Sequence, residues 1–309
     1  MASHAQVEDV LGMLFFARVV AARSFTAAAT TLGVSKSVVS ARVAALEARL
    51  GTRLLQRTTR RLSLTEDGLA LYEQAARMAA AADDAASLAH GKSPAPRGLL
   101  RVSAPTALAE RHLVAPVAAF LARHADVRVE LVLSDRTVDL VEDGIDVAIR
   151  VSARLADSSL VAKKLADDRT VVVAAPAYLA RRGVPAAPEA LLTHDCLRYA
   201  LVEARDEWRF RAPRRSRGSF AVPVEGRFLA ASGTVLRAAA IAGAGLAVLP
   251  TFMITEDLAA GRLITVLEDW SYVRLAVHAL YPAGATVPAK VRAFVDAMAE
   301  ALRKPPWEG

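Results

Sequence analysis

Residues 24–68, SFTAAATTLGVSKSVVSARVAALEARLGTRLLQRTTRRLSLTEDG, decide how the chain begins to fold. Ser24 leads into a short helix opened by Phe25 and Thr26 and running to Leu32. Gly33 ends it, because glycine tolerates the left-handed cap. Val34 bridges the turn, and Ser35 is an N-cap for a helix to about Leu50, where Gly51 stops it. Val38, Val39, Val43, Leu46 and Leu50 are the candidates for its core face. Two helices across a tight glycine turn form a helix-turn-helix, whose second member enters a major groove N-terminus first. Its opening turns then need polar side chains, and Ser35, Lys36, Ser37, Ser40 and Arg42 supply them. Residues 52–64 read as two short strands joined by a basic turn. Arg53, Arg57, Thr58, Arg60 and Arg61 form a wing able to lie along the neighbouring backbone or minor groove. An ordinary three-helix bundle with solvated polar residues is the alternative, and the arginines after Gly51 weigh against it.

Charge points the same way. Residues 1–64 hold nine Lys/Arg and three acids, so they carry +6 of the chain's +7. Positive charge gathered in one small segment suits phosphate contact, since each neutralised phosphate releases counterions. Upstream, Val7, Val10, Leu11, Leu14, Phe15 and Val19 fall at helical spacing up to Ala22. Downstream, Thr65 caps a long helix to about His90, with Glu66 and Asp67 at the positive end of its dipole. Along it Leu71, Ala75, Met78, Ala82, Ala85 and Ala89 alternate at spacings of four and three, a heptad-like seam. That seam fits either a second helix at close range or the helix's own domain. Residues 91–98, GKSPAPRG, read as a hinge. The expected division is 1–64, 65–92 and 93–309.

The remaining two-thirds alternate strand and helix. Strands are expected at Leu99–Ser103, Val127–Leu133 and Ile145–Val151, with helices at Thr106–Arg123 and Thr137–Asp143. This order implies a mostly parallel sheet with helices on both faces. A second unit has strands at Thr170–Ala174, near Trp208–Phe210 and Phe220–Val224, and at Leu246–Leu249, with helices from Pro176 and over Ser232–Ala242. A strand at Tyr272–Tyr281 and a helix at Pro288–Leu302 close the chain. Two lobes follow, about 93–164 with 270–309, and 165–269. Ligands settle at the C-terminal ends of such strands, against helix N-termini. Pro105 and Thr106, Ser134 and Asp135, and Ser232 and Thr234 occupy qualifying loops, and Arg150 is placed to pair with a carboxylate. For each, capping, turn formation or a surface ion pair is the alternative reading.

Several functions are disfavoured. One cysteine, Cys196, allows no internal disulfide and no multi-cysteine zinc site. The six histidines show no ligand spacing, so no metal is expected. Gly243-x-Gly245 follows a helix and precedes a strand, the reverse of a dinucleotide motif. No nucleophile elbow or paired carboxylates appear, so no enzyme is expected. No stretch matches a membrane span or a signal peptide, and the expected location is cytoplasmic. The arginines between Arg205 and Arg217 read as a solvated loop or hairpin.

The 24–68 segment resembles the DNA-binding module of LysR-type transcriptional regulators, matching in order from SFTAAA through LGVSxSxVS and ALEARLG to RTTRRLSLTEDG. LRVSAPTAL, LVLSDRTVDLVEDGIDVAIR, LADSSLVAKKLA, HDCLRY, AAAIAGAGLAVLPTF and VPAKVRAFVDAMAE resemble that family's regulatory domain, which is similar to type 2 periplasmic substrate-binding proteins. The resemblance implies an α/β protein with an N-terminal all-α winged helix-turn-helix, a long linker helix and a two-lobed C-terminal domain. It implies sequence-specific binding to double-stranded operator DNA, modulated by a small-molecule effector of unknown identity in the cleft. It also implies a homodimer or homotetramer through antiparallel linker helices, with RNA polymerase as a further partner. Lys36 stands where relatives often have Gln, and Ala41 where Arg or Lys is common, so the preferred half-site does not carry over. A transport-type solute-binding protein would explain the lobes but leave residues 1–64 without a role.

Overall fold

Helix α1 (His4–Ala22) opens the computed structural model, which describes residues 4–57, 62–89, 95–155, 160–202, 204–211, 219–270, 273–283 and 287–307. The chain divides into two units, Met1–Ala95 and Pro96–Gly309. In the first, α1 is followed by α2 (Phe25–Leu32), α3 (Lys36–Leu50), the antiparallel strands β1 (Leu55–Arg57) and β2 (Leu62–Leu64), and α4 (Glu66–Ala89). Ser35 Oγ accepts the Val38 N–H at 3.4 Å, so the expected cap of α3 forms, and Ser24 Oγ caps α2 in the same way, accepting the Ala27 N–H at 3.2 Å. Gly33 takes φ +67° at the turn between α2 and α3, a conformation costly for any side chain.

The core of this unit is Phe16, Val19, Val39, Val43, Leu46, Leu54, Ala75 and Ala79. Three sequence readings are corrected here. Val10 is exposed while Phe16 is fully buried, because α1 is apolar nearly all round and periodicity cannot fix its phase. Val38 and Leu50 are exposed, since Val39, Val43 and Leu46 already form the buried stripe of α3. On α4, Leu71 and Ala75 pack into the chain's own core, so the first half of the supposed seam is used internally. Gly68 is required at this joint: a Cβ there would lie 2.0 Å from the Leu54 carbonyl oxygen. Thr65 Oγ1 accepts the Gly68 N–H at 2.9 Å and donates to the Arg53 carbonyl at 2.7 Å, tying cap to wing.

The second unit carries, among the described residues, a nine-stranded sheet ordered β10-β7-β11-β6-β13-β5-β3-β4, with β12 also on β6. Its elements are β3 (Gly98–Ala104), α5 (Thr106–Leu108), a wide π-helical turn (Ala109–Leu113), α6 (Val114–Arg123), β4 (Val127–Leu133), β5 (Val147–Ser152) and β6 (Leu160–Ala174). They continue with α7 (Pro176–Arg182), a 3-10 turn (Pro188–Thr193), β7 (Cys196–Tyr199), the hairpin β8 (Glu207–Arg211) and β9 (Ser219–Pro223), and β10 (Leu229–Ala230). Last come α8 (Gly233–Ile241), β11 (Leu246–Pro250), α9 (Thr251–Ala259), β12 (Ile264–Val266), β13 (Arg274–Pro282) and α10 (Ala289–Ala301).

The sheet is mixed, not mostly parallel. β3 runs parallel to β4 and β5, and β7 to β10 and β11, but β13 is antiparallel to β5 and β6. Leu160 to Arg169 pairs with β13 in one lobe, and Thr170 to Ala174 pairs with β11 and β12 in the other. β6 therefore belongs to both lobes. Where it crosses, Thr170 donates its N–H and its hydroxyl to the Val273 carbonyl, at 3.2 and 3.1 Å. The helix expected at Thr137–Asp143 is a single turn. Asp139 accepts the N–H groups of Val141 and Glu142 at 2.8 and 3.0 Å, and Gly144 at φ +64° ends it before a second turn starts. The final strand starts at Arg274, Tyr272 lying outside the described residues. Of the two readings of the arginine-rich run, the hairpin holds: Arg209 and Arg211 lie on β8, which pairs with β9, and 212–218 lie outside the described residues.

Phe120, Ile149, Val277 and Phe294 lie in the larger core, and Tyr178, Trp208, Phe210 and Leu246 in the smaller. Among the described residues no helix is long and apolar enough to cross a membrane.

Candidate DNA interface and effector cleft

The start of α3 presents Lys36, Ser37, Val38 and Ala41 as exposed side chains, with Ser40 and Arg42 half-buried. Ser35 and Ser37 are less free than their exposure suggests. Ser35 Oγ caps the helix and lies 2.8 Å from Ser37 Oγ. Arg42 is ion-paired with Glu8 on α1, Arg49 with Asp9, and Arg18 with Asp83 on α4. On the stretch from the end of α1 to the wing, Arg23, Lys36 and Arg53 have no ion pair among the described residues, which leaves these cations open to a polyanion. Thr58, Arg60 and Arg61 lie outside the described residues, as does the side chain of Arg57.

Two features of this face escaped the sequence. Val34 and Val38 are 37% and 42% exposed, so the presented surface is partly apolar. The signal was the phase of the Val39, Val43, Leu46 stripe, which leaves Val38 about 100° away around the helix. Glu47 accepts the N–H groups of Leu54 and Leu55 at 2.8 and 3.1 Å, binding the wing's first strand to α3. That contact reaches back over a turn, and no local pattern announces it.

In the second unit the strand ends bring the expected loops together in part. Pro105 is the N-cap of α5 and offers no side-chain bond. Asp135 does this instead, its Oδ1 accepting the Thr106 N–H at 3.1 Å. The helix N-terminus expected to face an anion thus already holds the protein's own carboxylate. Ser134 folds its turn, Oγ accepting the Arg136 N–H at 3.1 Å.

Arg150 reaches Ser103 Oγ at 3.2 Å and the Ile149 carbonyl at 3.1 Å. Burial lowers its pKa, and the charge of Asp135 opposes that shift. Tyr199, on β7 of the other lobe, has its phenol pushed up to about 12 by burial and by the same Asp135. Asp135, Arg150 and Tyr199 therefore share one electrostatic neighbourhood. Ser232 and Thr234 bond each other at 2.8 Å at the start of α8, and α5 packs against α8.

Tyr199 was not singled out in the sequence. The pairing of Tyr199 with Ala230 sets it beside the Ser232 loop, and that pairing is a long-range fact. Cys196 is buried, and burial with Asp195 nearby pushes its thiol up to about 12, so it is inert at neutral pH.

Comparison with known proteins agrees with this geometry. Residues 12–69 match the family of bacterial regulatory helix-turn-helix proteins of the lysR type, and residues 93–303 match the LysR substrate binding domain. The chain is 37% identical over 292 residues to the HTH-type transcriptional regulator PtxR of Pseudomonas aeruginosa, covering 94% of this chain and 92% of that protein. It resembles the solved structure of CrgA, a LysR-type transcriptional regulator from Neisseria meningitidis, with 34% identity, a TM-score of 0.59 and coverage of 94% and 98%. The full-length Vibrio cholerae virulence activator AphB is similar at 29% identity and a TM-score of 0.59, covering 95% of this chain and 98% of that one. A DNA-reading head and an effector-type domain on one polypeptide, each matched by its own family, mean that the chain belongs to the LysR family of transcriptional regulators.

Proposed function

We propose that residues 1–64 read duplex DNA through α3 and the wing, that 65–92 joins two subunits, and that 93–309 senses a small molecule between its lobes. The DNA-facing set in this reading is Ser35, Lys36, Ser37, Ser40, Arg42, Arg53, Arg57, Thr58, Arg60 and Arg61, with Val38 added. Arg42, paired with Glu8, acts by fixing α3 more than by touching phosphate. The observation that carries the reading is the open N-terminal face of α3, where Lys36, Ser37, Val38 and Ala41 are exposed outside the unit's core. Two linked heads would reach two half-sites at high effective concentration. Effector binding would shift the population of assemblies, a coupling typically worth ~1–3 kcal/mol. The protein acts on transcription in the cytoplasm, with RNA polymerase as a downstream partner and without catalysis.

The test is DNA binding across a salt series. The logarithm of affinity is expected to fall linearly with the logarithm of salt. Arg57→Ala should weaken binding to all sequences and flatten the slope by about one. Binding that is absent, or indifferent to salt, overturns the reading.

A further inference from the structure

We propose that the cleft takes a monocarboxylate carrying a hydroxyl or ammonium group, with the carboxylate on Arg150 and the donor on Asp135, beside Tyr199. The inference rests on reading the cleft as an effector site and names the chemistry that the site accepts.

Arg150 is the first observation. Of its five N–H donors, the bonds formed go to a hydroxyl and a carbonyl, both neutral. It has no ion pair among the described residues, whereas other partly buried arginines of this unit do: Arg237 with Asp257, and Arg101 with Glu130. A partly desolvated guanidinium with open donors matches a planar two-oxygen anion.

Asp135 is the second. Thr106 holds one of its oxygens at the N-terminus of α5, which fixes the carboxylate's direction, while the other oxygen has no hydrogen bond among the described residues. Arg150 bonds Ser103 near the end of β3 and Asp135 bonds Thr106 three residues on, so both converge on one strand end, and no ion pair joins them among the described residues. A ligand between them meets a cation at one end and an anion at the other. The anionic end belongs on Arg150. The opposite end must donate, and a second carboxylate there would be repelled by Asp135.

The wall beside Arg150 is also polar. His278 is its cross-strand neighbour and Ser152 lies two residues along the same strand face. Among the described residues, His278 Nδ1 and Ser152 Oγ are buried without a hydrogen-bond partner.

The experiment melts the full chain with matched sets: lactate, lactamide and malate; 3-hydroxybenzoate, 3-hydroxybenzamide and 5-hydroxyisophthalate; and choline as a cation. A hydroxy-monocarboxylate is expected to raise Tm, its amide to have no effect, and the matched diacid to need at least tenfold more ligand for the same shift. Arg150→Gln should abolish the shift, and Asp135→Asn should bring the diacid level with the monoacid, each compared with its own unliganded melt. Stabilisation by amides or choline without carboxylate preference, or carboxylate binding that survives Arg150→Gln, overturns the ligand class and leaves the effector reading standing. A melt that no compound of any class moves sinks both.

Discussion

At the scale of single residues, the face that α3 presents at its N-terminus is less polar than its sequence suggests. Ser35 is occupied as a cap and Arg42 is occupied by Glu8, which leaves Lys36, Ser37, Val38 and Ala41 at the surface. An apolar side chain there suits the 5-methyl group of thymine. Val38→Ala is expected to weaken binding to a selected operator about fivefold, near the ~1 kcal/mol of a lost methyl contact. Replacing the contacted thymine by uracil should remove most of that difference; an unchanged penalty would place Val38 away from the bases. The serines and Lys36 were legible because caps and charges are local. The exposure of Val38 was not, because it depends on which neighbours the other helices cover.

At the scale of elements, Asp257 shows how α8 and α9 are joined. Its carboxylate is fully buried and meets Arg237 at 2.5 and 2.7 Å and Arg262 at 2.7 Å. Burial alone would push the carboxyl up, but the two guanidinium groups hold it below the usual carboxylate range. Its stabilisation is therefore present above the unfolded chain's pKa and is lost as pH falls through the depressed value. Asp257→Asn should destabilise the unit by about 3 kcal/mol, because the partly buried Arg237 loses its counterion and the exposed Arg262 loses its anchor. Denaturant melts at neutral pH check this, and a loss below ~1 kcal/mol would mean that the pair is already screened. Elements with strong local signals, such as α2, α3, α4 and α10, were readable in the sequence. β6 was read only over its last five residues, since its first ten, LVAKKLADDR, carry charges on both sides of the alternation. Those charges are tolerated because β6 spans the lobes, with Lys163 and Lys164 reaching Asp296 and Asp167.

Across the whole molecule, buried histidines link stability to pH. His112 donates from the wide π-helical turn of one lobe to the Phe252 carbonyl of the other at 2.8 Å, and it lies 4.5 Å from the Trp307 ring. His194 takes a bond from the Tyr178 hydroxyl at 3.0 Å. Burial is the main cause that lowers the pKa of both, and of His278. The unfolded chain then binds protons more readily, so stability is full above about pH 6.5 and declines as pH falls toward the lowered values. Tm should drop between pH 7.5 and 5.5, and His112→Gln should flatten part of the drop. A Tm independent of pH over that range would remove the histidines from the balance. The two-lobed plan was visible in the alternation of strands and helices. The crossing of the lobes was not, because nothing local marks the residue at which a strand changes partners.

One strand shared by both lobes makes the regulatory unit behave like a torsion bar. Rotating one lobe against the other has to twist the backbone around Asp167 to Thr170, since no slack loop at that point absorbs the motion. The Trp307 indole grips this bar at the Asp167 carbonyl, 3.0 Å away, beside its fulcrum. The stiffness against which an effector must work is thereby set partly by a residue far along the chain, and trimming that indole would soften the spring without touching the pocket.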